Sequence, residues 1–130
     1  MTIISDEQIA YISDGGVIAY PTSTLPGLGC IPTKEGLDAL FALKSRSADK
    51  PVSLGVVSLQ QVEALVDIDA RMIEFADAFP RGGLSVIYPA KETQDARLGG
   101  DAIAIRVFDH PAARALAEAV GPVTATSANE

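Results

Sequence analysis

Thr22, Lys44, Arg46, Arg106, Ser127 and Asn129 are the side chains of this 130-residue sequence best suited to meeting an anion. Lys44-Ser45-Arg46 sets two cations two positions apart, and with Lys50 they form the densest basic cluster of the chain. An arginine suits bidentate contact with phosphate or carboxylate, and a lysine adds a point charge beside it. Cations at a helix C-terminus are also favoured by the macrodipole alone, so the pair has a purely structural reading too. Ser127-Ala128-Asn129 offers a hydroxyl and an amide to oxygens that such cations neutralise. Thr22 opens a run of hydroxyls, Thr22-Ser23-Thr24, directly after Pro21. Arg106 sits inside the apolar run Ala102 to Val107, where a charge is costly to bury alone. It must lie at the exposed end of a strand or bond to something anionic. Together these groups make a pocket for an anionic ligand. No metal-ligand spacing, Ser/His/Asp order, Walker loop or dinucleotide fingerprint accompanies them.

The elements that would carry these residues alternate between strand and helix. Ser5-Asp6-Glu7-Gln8 has the form of a capping box, and Ile9 and Ile12 give a short amphipathic helix closed by Asp14-Gly15-Gly16. Val17 to Tyr20 reads as a buried strand that Pro21 must end, because proline cannot donate to a central ladder. Gly27 and Gly29 then let the backbone approach a bound group with no Cβ in the way. Thr33 can cap a helix whose apolar face is Leu37, Leu40, Phe41 and Leu43, and that helix delivers Lys44 and Arg46. Val52 to Val57 is a second strand. Ser58-Leu59-Gln60-Gln61 is a second capping box, opening a helix through Val62, Leu65 and Val66. Asp69 caps a helix with Met72, Ile73, Phe75, Ala76 and Phe79 on its apolar face. Leu84 to Tyr88 is a strand, Pro89 to Gly100 a polar loop, and Ala102 to Val107 a strand. Asp109 with Pro111 starts a helix through Ala112, Leu116, Ala117 and Val120, and Val123 to Thr126 is a last strand. His110 is explained by that helix start, and Cys30 by ordinary burial. The pattern predicts one α/β domain over residues 1–130, a twisted open mixed sheet with flanking helices.

Composition narrows the function classes. The hydrophobic fraction of 48% supports a packed core rather than disorder. A net charge of −7 argues against a broad nucleic-acid surface but permits a small basic pocket. The single cysteine allows no internal disulfide, no apolar run reaches membrane length, and the N-terminus lacks the basic start of a signal peptide. These features predict a cytoplasmic protein.

Pro21-Thr22-Ser23-Thr24-Leu25-Pro26-Gly27-Leu28 resembles the PT-(D/E)-T-x-Y-G-L opening of the Sua5/YciO/YrdC family. Lys44-Ser45-Arg46 and Ser127-Ala128-Asn129 match its K-x-R and S-x-N pairs. Lys50-Pro51-Val52, Phe79-Pro80-Arg81-Gly82-Gly83-Leu84-Ser85 (like WPGPLT) and Ala104 to Pro111 (like VRVPDHP) follow in family order. Each motif is weak singly, but the ordered set covers nearly the whole chain and is specific.

The resemblance implies a YrdC/RibB-like fold and a nucleotidyltransferase, an L-threonylcarbamoyladenylate synthase. Such an enzyme uses L-threonine, bicarbonate and ATP with Mg²⁺ to form threonylcarbamoyl-AMP and diphosphate, for t6A modification of tRNA with partner proteins. By the match, Lys44, Arg46, Ser127 and Asn129 would hold the ATP phosphates, and Thr22 and Arg106 would face threonine. No side chain is then required as a catalytic nucleophile; positioning and charge stabilisation suffice. The sequence departs from the family at Ser23, usually an acid, and Pro26, usually an aromatic ring. It also stops just after S-A-N, which predicts either a truncated chain or a reduced paralogue, poorly active or inactive in forming threonylcarbamoyl-AMP but able to bind nucleotide. Two alternatives remain: a non-catalytic nucleotide- or anion-binding paralogue, and an RNA-binding module, which the acidic balance disfavours. A carbamoyl-transfer role, as in related domains of hydrogenase maturation proteins, is a further variant.

Overall fold

The computed structural model describes residues 4–22, 26–44, 50–71, 74 and 85–127, with Ser127 described in its backbone only. Ser5 caps α1 (Asp6–Ser13) as the sequence predicts: its Oγ accepts the Gln8 amide at 3.1 Å, and Gln8 Oε1 accepts the Ser5 amide at 2.9 Å. Satisfying two orphan donors reciprocally starts a helix of only 8 residues, which then buries Ile12. Strands β1 (Ile18–Tyr20) and β2 (Gly27–Gly29) follow as a hairpin. Thr33 Oγ1 accepts the Gly36 amide and opens α2 (Lys34–Lys44), which buries Leu37, Leu40 and Phe41. Leu43, expected on that face, is instead exposed. The remaining strands are β3 (Ser53–Val56), β4 (Ser85–Pro89), β5 (Ala102–Val107) and β6 (Val123–Ser127), with α3 (Pro111–Val120) before the last.

Among the described residues the sheet has six strands in the order β1-β2-β6-β3-β5-β4. Only β3 and β5 run parallel; every other neighbouring pair is antiparallel. The last of the described strands, β6, is therefore central in space, joining the β1-β2 hairpin to the β3-β5-β4 group. The expected mixed open sheet is what forms. β1, however, is an edge strand with Ala19 exposed, so Pro21 follows a strand at the rim and not one in the interior.

Alternation of side chains along each strand separates the two faces. Leu54, Ile105, Ile103, Tyr88 and Cys30 pack under α2 and the short 3₁₀ turns Leu59–Val62 and Ala96–Leu98. Ile18, Tyr20, Val123 and Phe108 pack under α1 and α3, against Ile12, Leu116 and Ala117. Among the described residues no helix is long and apolar enough to cross a membrane.

Two expectations about helix starts need correction, and a third is met only as far as the described residues reach. Ser58 makes no side-chain cap, and the segment it opens is only the Leu59–Val62 turn. Gln61 is instead drawn into bridging, its Oε1 accepting the Val57 amide and its Nε2 donating to the Ala117 carbonyl. The N-cap of α3 is His110 rather than Asp109: His110 Nδ1 accepts the Ala112 amide at 3.0 Å. Asp69 Oδ1 does accept the Arg71 amide, but the apolar face expected beyond it, and the Phe79 to Leu84 run, lie outside the described residues. The polar loop Pro89 to Gly100 contains the Ala96–Leu98 turn, capped by Asp95.

Candidate functional site

The face beneath α1 and α3 is floored by glycine. Tyr20 lies over β2, so that a Cβ at Gly27 would meet its Cζ at 2.8 Å and one at Gly29 its Cε1 at 2.7 Å. These glycines thus admit the ring of Tyr20, not a bound group as their place in the loop suggests. The Tyr20 hydroxyl crosses β2 and donates to the Thr124 carbonyl at 2.8 Å. Burial pushes its ionisation far above the ordinary phenol range, although the positive charge of Arg106 pulls the other way. The phenol is therefore a fixed donor at neutral pH. Phe108 fills the space above Gly55 on β3, where any Cβ would fall within the ring. The two rings meet edge to face, with centroids 5.7 Å apart and planes at 73°.

Arg106 stands on β5, beside Gly55 on one neighbouring strand and Ser85 on the other. Its side chain is half-buried, and its Nε donates to Ser85 Oγ at 3.1 Å. The arginine is the penultimate residue of β5, near the strand end as one of the two sequence expectations has it but only half exposed, and among the described residues no carboxylate pairs with it. A neutral hydroxyl orients the guanidinium without cancelling its charge. An external carboxylate can supply the missing counter-charge.

Lys44 closes α2, where the helix dipole favours a cation, and its Nζ lies 3.4 Å from Thr126 Oγ1. Thr126 precedes Ser127, whose backbone stands opposite Gly27, which in turn stands opposite Tyr20. Thr22 follows Tyr20 by two residues and is half-buried. The structure thus gathers Thr22, Lys44 and the Ser127 backbone at one end of β1, β2 and β6. Arg106 is two strands from β6, about 10 Å at ordinary strand spacing. It also belongs to the opposite face. Thr126 shares a face with Thr124, whose Oγ1 meets Cys30 on the α2 side, whereas Arg106 shares the face of Tyr20. Arg106 is also level with Val123 at the start of β6, three residues short of Thr126, so the two cations are set apart along the strand as well as across the sheet. Arg46 and Asn129 lie outside the described residues, as do Ser23 and the Ser127 side chain, while Pro26 is exposed.

Cys30 is fully buried, and burial pushes its thiol up to about 11, so it is no nucleophile at neutral pH. Among the described residues no group of three or more His, Cys, Asp or Glu side chains could hold a metal. Tyr20, Phe108 and Ser85 are the site-forming residues that inspection of the sequence passes over. Gly55, inside an apolar strand, was the readable signal, because such a glycine marks close approach by another group.

A family model, Sua5_yciO_yrdC, described as telomere recombination, matches residues 10–130. A threonylcarbamoyl-AMP synthase of Pseudomonas fluorescens is 38% identical over 123 residues, spanning 91% of this chain and 66% of that protein. One from Marinobacter nauticus is 41% identical over 122 residues, spanning 88% of this chain and 64% of that protein. The chain thus spans just under two thirds of the length of these curated relatives. Among solved structures, P. abyssi Sua5 complexed with L-threonine superposes with a TM-score of 0.85 at 32% identity, covering 93% of this chain and 37% of that one. E. coli YciO, at 23% identity and a TM-score of 0.77, covers 92% of this chain and 61% of its own and shares the fold.

Proposed function

Since this chain belongs to the Sua5/YciO/YrdC family, we propose that it is the substrate-binding body of an L-threonylcarbamoyladenylate synthase serving t6A modification of tRNA. The observation that carries this reading is Arg106, a half-buried cation held by a hydroxyl and, among the described residues, unmatched by any carboxylate. Such a group suits the carboxylate of an amino acid, and a relative of this fold is known with L-threonine bound. Lys44 at the end of β6 suits the phosphates of ATP, and Thr22 lines the same end; by the family match Arg46, Ser127 and Asn129 would join Lys44 there.

In the proposed reaction the threonine amine attacks bicarbonate, and water leaves to give an N-carboxylate. An oxygen of that carbamate attacks the α-phosphorus of ATP, and diphosphate departs, leaving threonylcarbamoyl-AMP. Each atom that changes bonds belongs to a substrate. The chain's part is to hold threonine by Arg106 and the phosphates by Lys44 and its companions. Bringing reactants together in this way and neutralising the charge that builds on phosphate are its contributions to rate. Mg²⁺ would arrive on the nucleotide's phosphates. It would offset phosphate charge there.

Calorimetry with ATP and L-threonine, separately and together, tests the binding; threonine-dependent diphosphate release with bicarbonate present tests the chemistry. Binding of both substrates with release is expected of a synthase. Nucleotide binding with no threonine binding would refute the reading and leave a non-catalytic nucleotide-binding member of the family.

A further inference from the structure

The partner of Arg106 carries more information than its presence alone. Ser85 and Arg106 stand directly opposite across β4 and β5, so their side chains leave the sheet from the same face. Ser85 Oγ accepts from Nε, the inner nitrogen of the guanidinium, at 3.1 Å. On the other flank Arg106 is level with Gly55, whose space is taken by the Phe108 ring. The side chain is thus walled by an aromatic ring on the β3 side and tied by a hydroxyl on the β4 side. A carboxylate can meet an arginine along the edge shared by Nε and one terminal nitrogen, or end-on across both terminal nitrogens. With Nε committed to Ser85, the end-on fork is the one left to a ligand.

We infer that Ser85 is a positioning residue for substrate binding: it presents Arg106 end-on to the carboxylate of the amino-acid substrate. This rests on the reading of Arg106 as the carboxylate contact. Serine fits the task where other residues fail. An aspartate there would neutralise the cation, and an alanine would leave a long side chain to give up its rotamer freedom upon each binding event. Threonine keeps the hydroxyl, and its β-branching suits a strand.

The test compares the wild-type chain with Ser85→Ala, Ser85→Thr and Arg106→Ala, titrating L-threonine and ATP separately by calorimetry. Exchange of the Arg106 Nε proton is followed by nitrogen-15 NMR. The expected result is about tenfold weaker threonine binding in Ser85→Ala with ATP affinity unchanged, and recovery to within about threefold in Ser85→Thr. The Nε proton should exchange slowly in wild type and Ser85→Thr and quickly in Ser85→Ala. The inference is overturned if Ser85→Ala binds threonine as wild type does, if Ser85→Thr fails to recover, or if ATP affinity falls in step. Unaltered threonine binding by Arg106→Ala would overturn the carboxylate contact instead, while the Nε exchange still decides whether Ser85 holds the arginine. A wild-type chain that binds no threonine overturns both.

Discussion

Replacing Gly55 by alanine probes the floor of the site with a single added carbon. Its Cβ would fall within the Phe108 ring, with Cζ, Cε1 and Cε2 all inside the range that no real contact shows. The strand cannot yield readily, because Gly55 stands opposite Arg106 on one side and Val123 on the other. The ring must therefore leave. Phe108 is only 3% exposed and shares an edge contact with Tyr20. Forcing an extra carbon into a packed core costs about 1–3 kcal/mol, and a lost aromatic pair adds about 0.5–1.5 kcal/mol. Gly55→Ala should thus destabilise the fold by about 2–4 kcal/mol in urea denaturation, with little change in m-value. Shrinking the ring first should relieve the clash. Phe108→Leu combined with Gly55→Ala should cost clearly less than the two single changes added together, a coupling of about 1 kcal/mol or more. A Gly55→Ala protein within about 0.5 kcal/mol of wild type, or strict additivity in the double variant, would refute the account of that floor.

Other perturbations follow from the same structure. Tyr20→Phe keeps the ring over Gly27 and Gly29 but deprives the Thr124 carbonyl of its donor, and should cost about 1–2 kcal/mol by thermal or urea unfolding. Lys44→Ala should weaken ATP binding by about 1.5–3 kcal/mol in calorimetry while L-threonine binding stays near wild type. The Arg97 guanidinium, hydrogen-bonded to Asp95, holds that carboxyl below the ordinary carboxylate range. A depressed folded value means that the pair's contribution is full above the unfolded value of about 3.9 and is lost as pH falls through the folded one. Stability measured from pH 5 downwards should therefore fall less steeply in Arg97→Gln than in wild type, and parallel curves would count against this.

What could be read from the chain divides by the range of the interaction. Ser5 with Gln8 and Thr33 with Gly36 are local contacts, settled by residues three apart, and both form as expected. Ser58 with Gln61 has the same spacing but no cap, because Gln61 finds the Val57 amide and the distant Ala117 carbonyl. Tertiary partners overrode a sound local signal. The same holds for Gly27 and Gly29, where a ring from the neighbouring strand takes the space that the loop motif suggests for a ligand. The mixed sheet follows from alternating elements, but the strand order does not: that β1 lies at the rim and β6 at the centre depends on pairings distant in sequence. Of the site residues, Lys44 and Arg106 are visible as cations, yet nothing local says that they belong to opposite faces. That depends on the register of β6 and β5, set only when the whole sheet is assembled.

The central place of β6 has a consequence for the order in which the protein comes into being. Until that strand leaves the ribosome, β2 and β3 each lack a neighbour on one side, and the hairpin and the β3-β5-β4 group share no ladder. The contact from Tyr20 to Thr124 spans 104 positions, so its loop-closure entropy must be met before any of that pairing is rewarded. Synthesis thus passes through a stage with two bare strand edges beside apolar faces, the condition under which chains stick to one another. β6 acts as a keystone in time as well as in space. Slow emergence or premature termination within β6 would leave a nascent chain with those edges bare and dependent on chaperones.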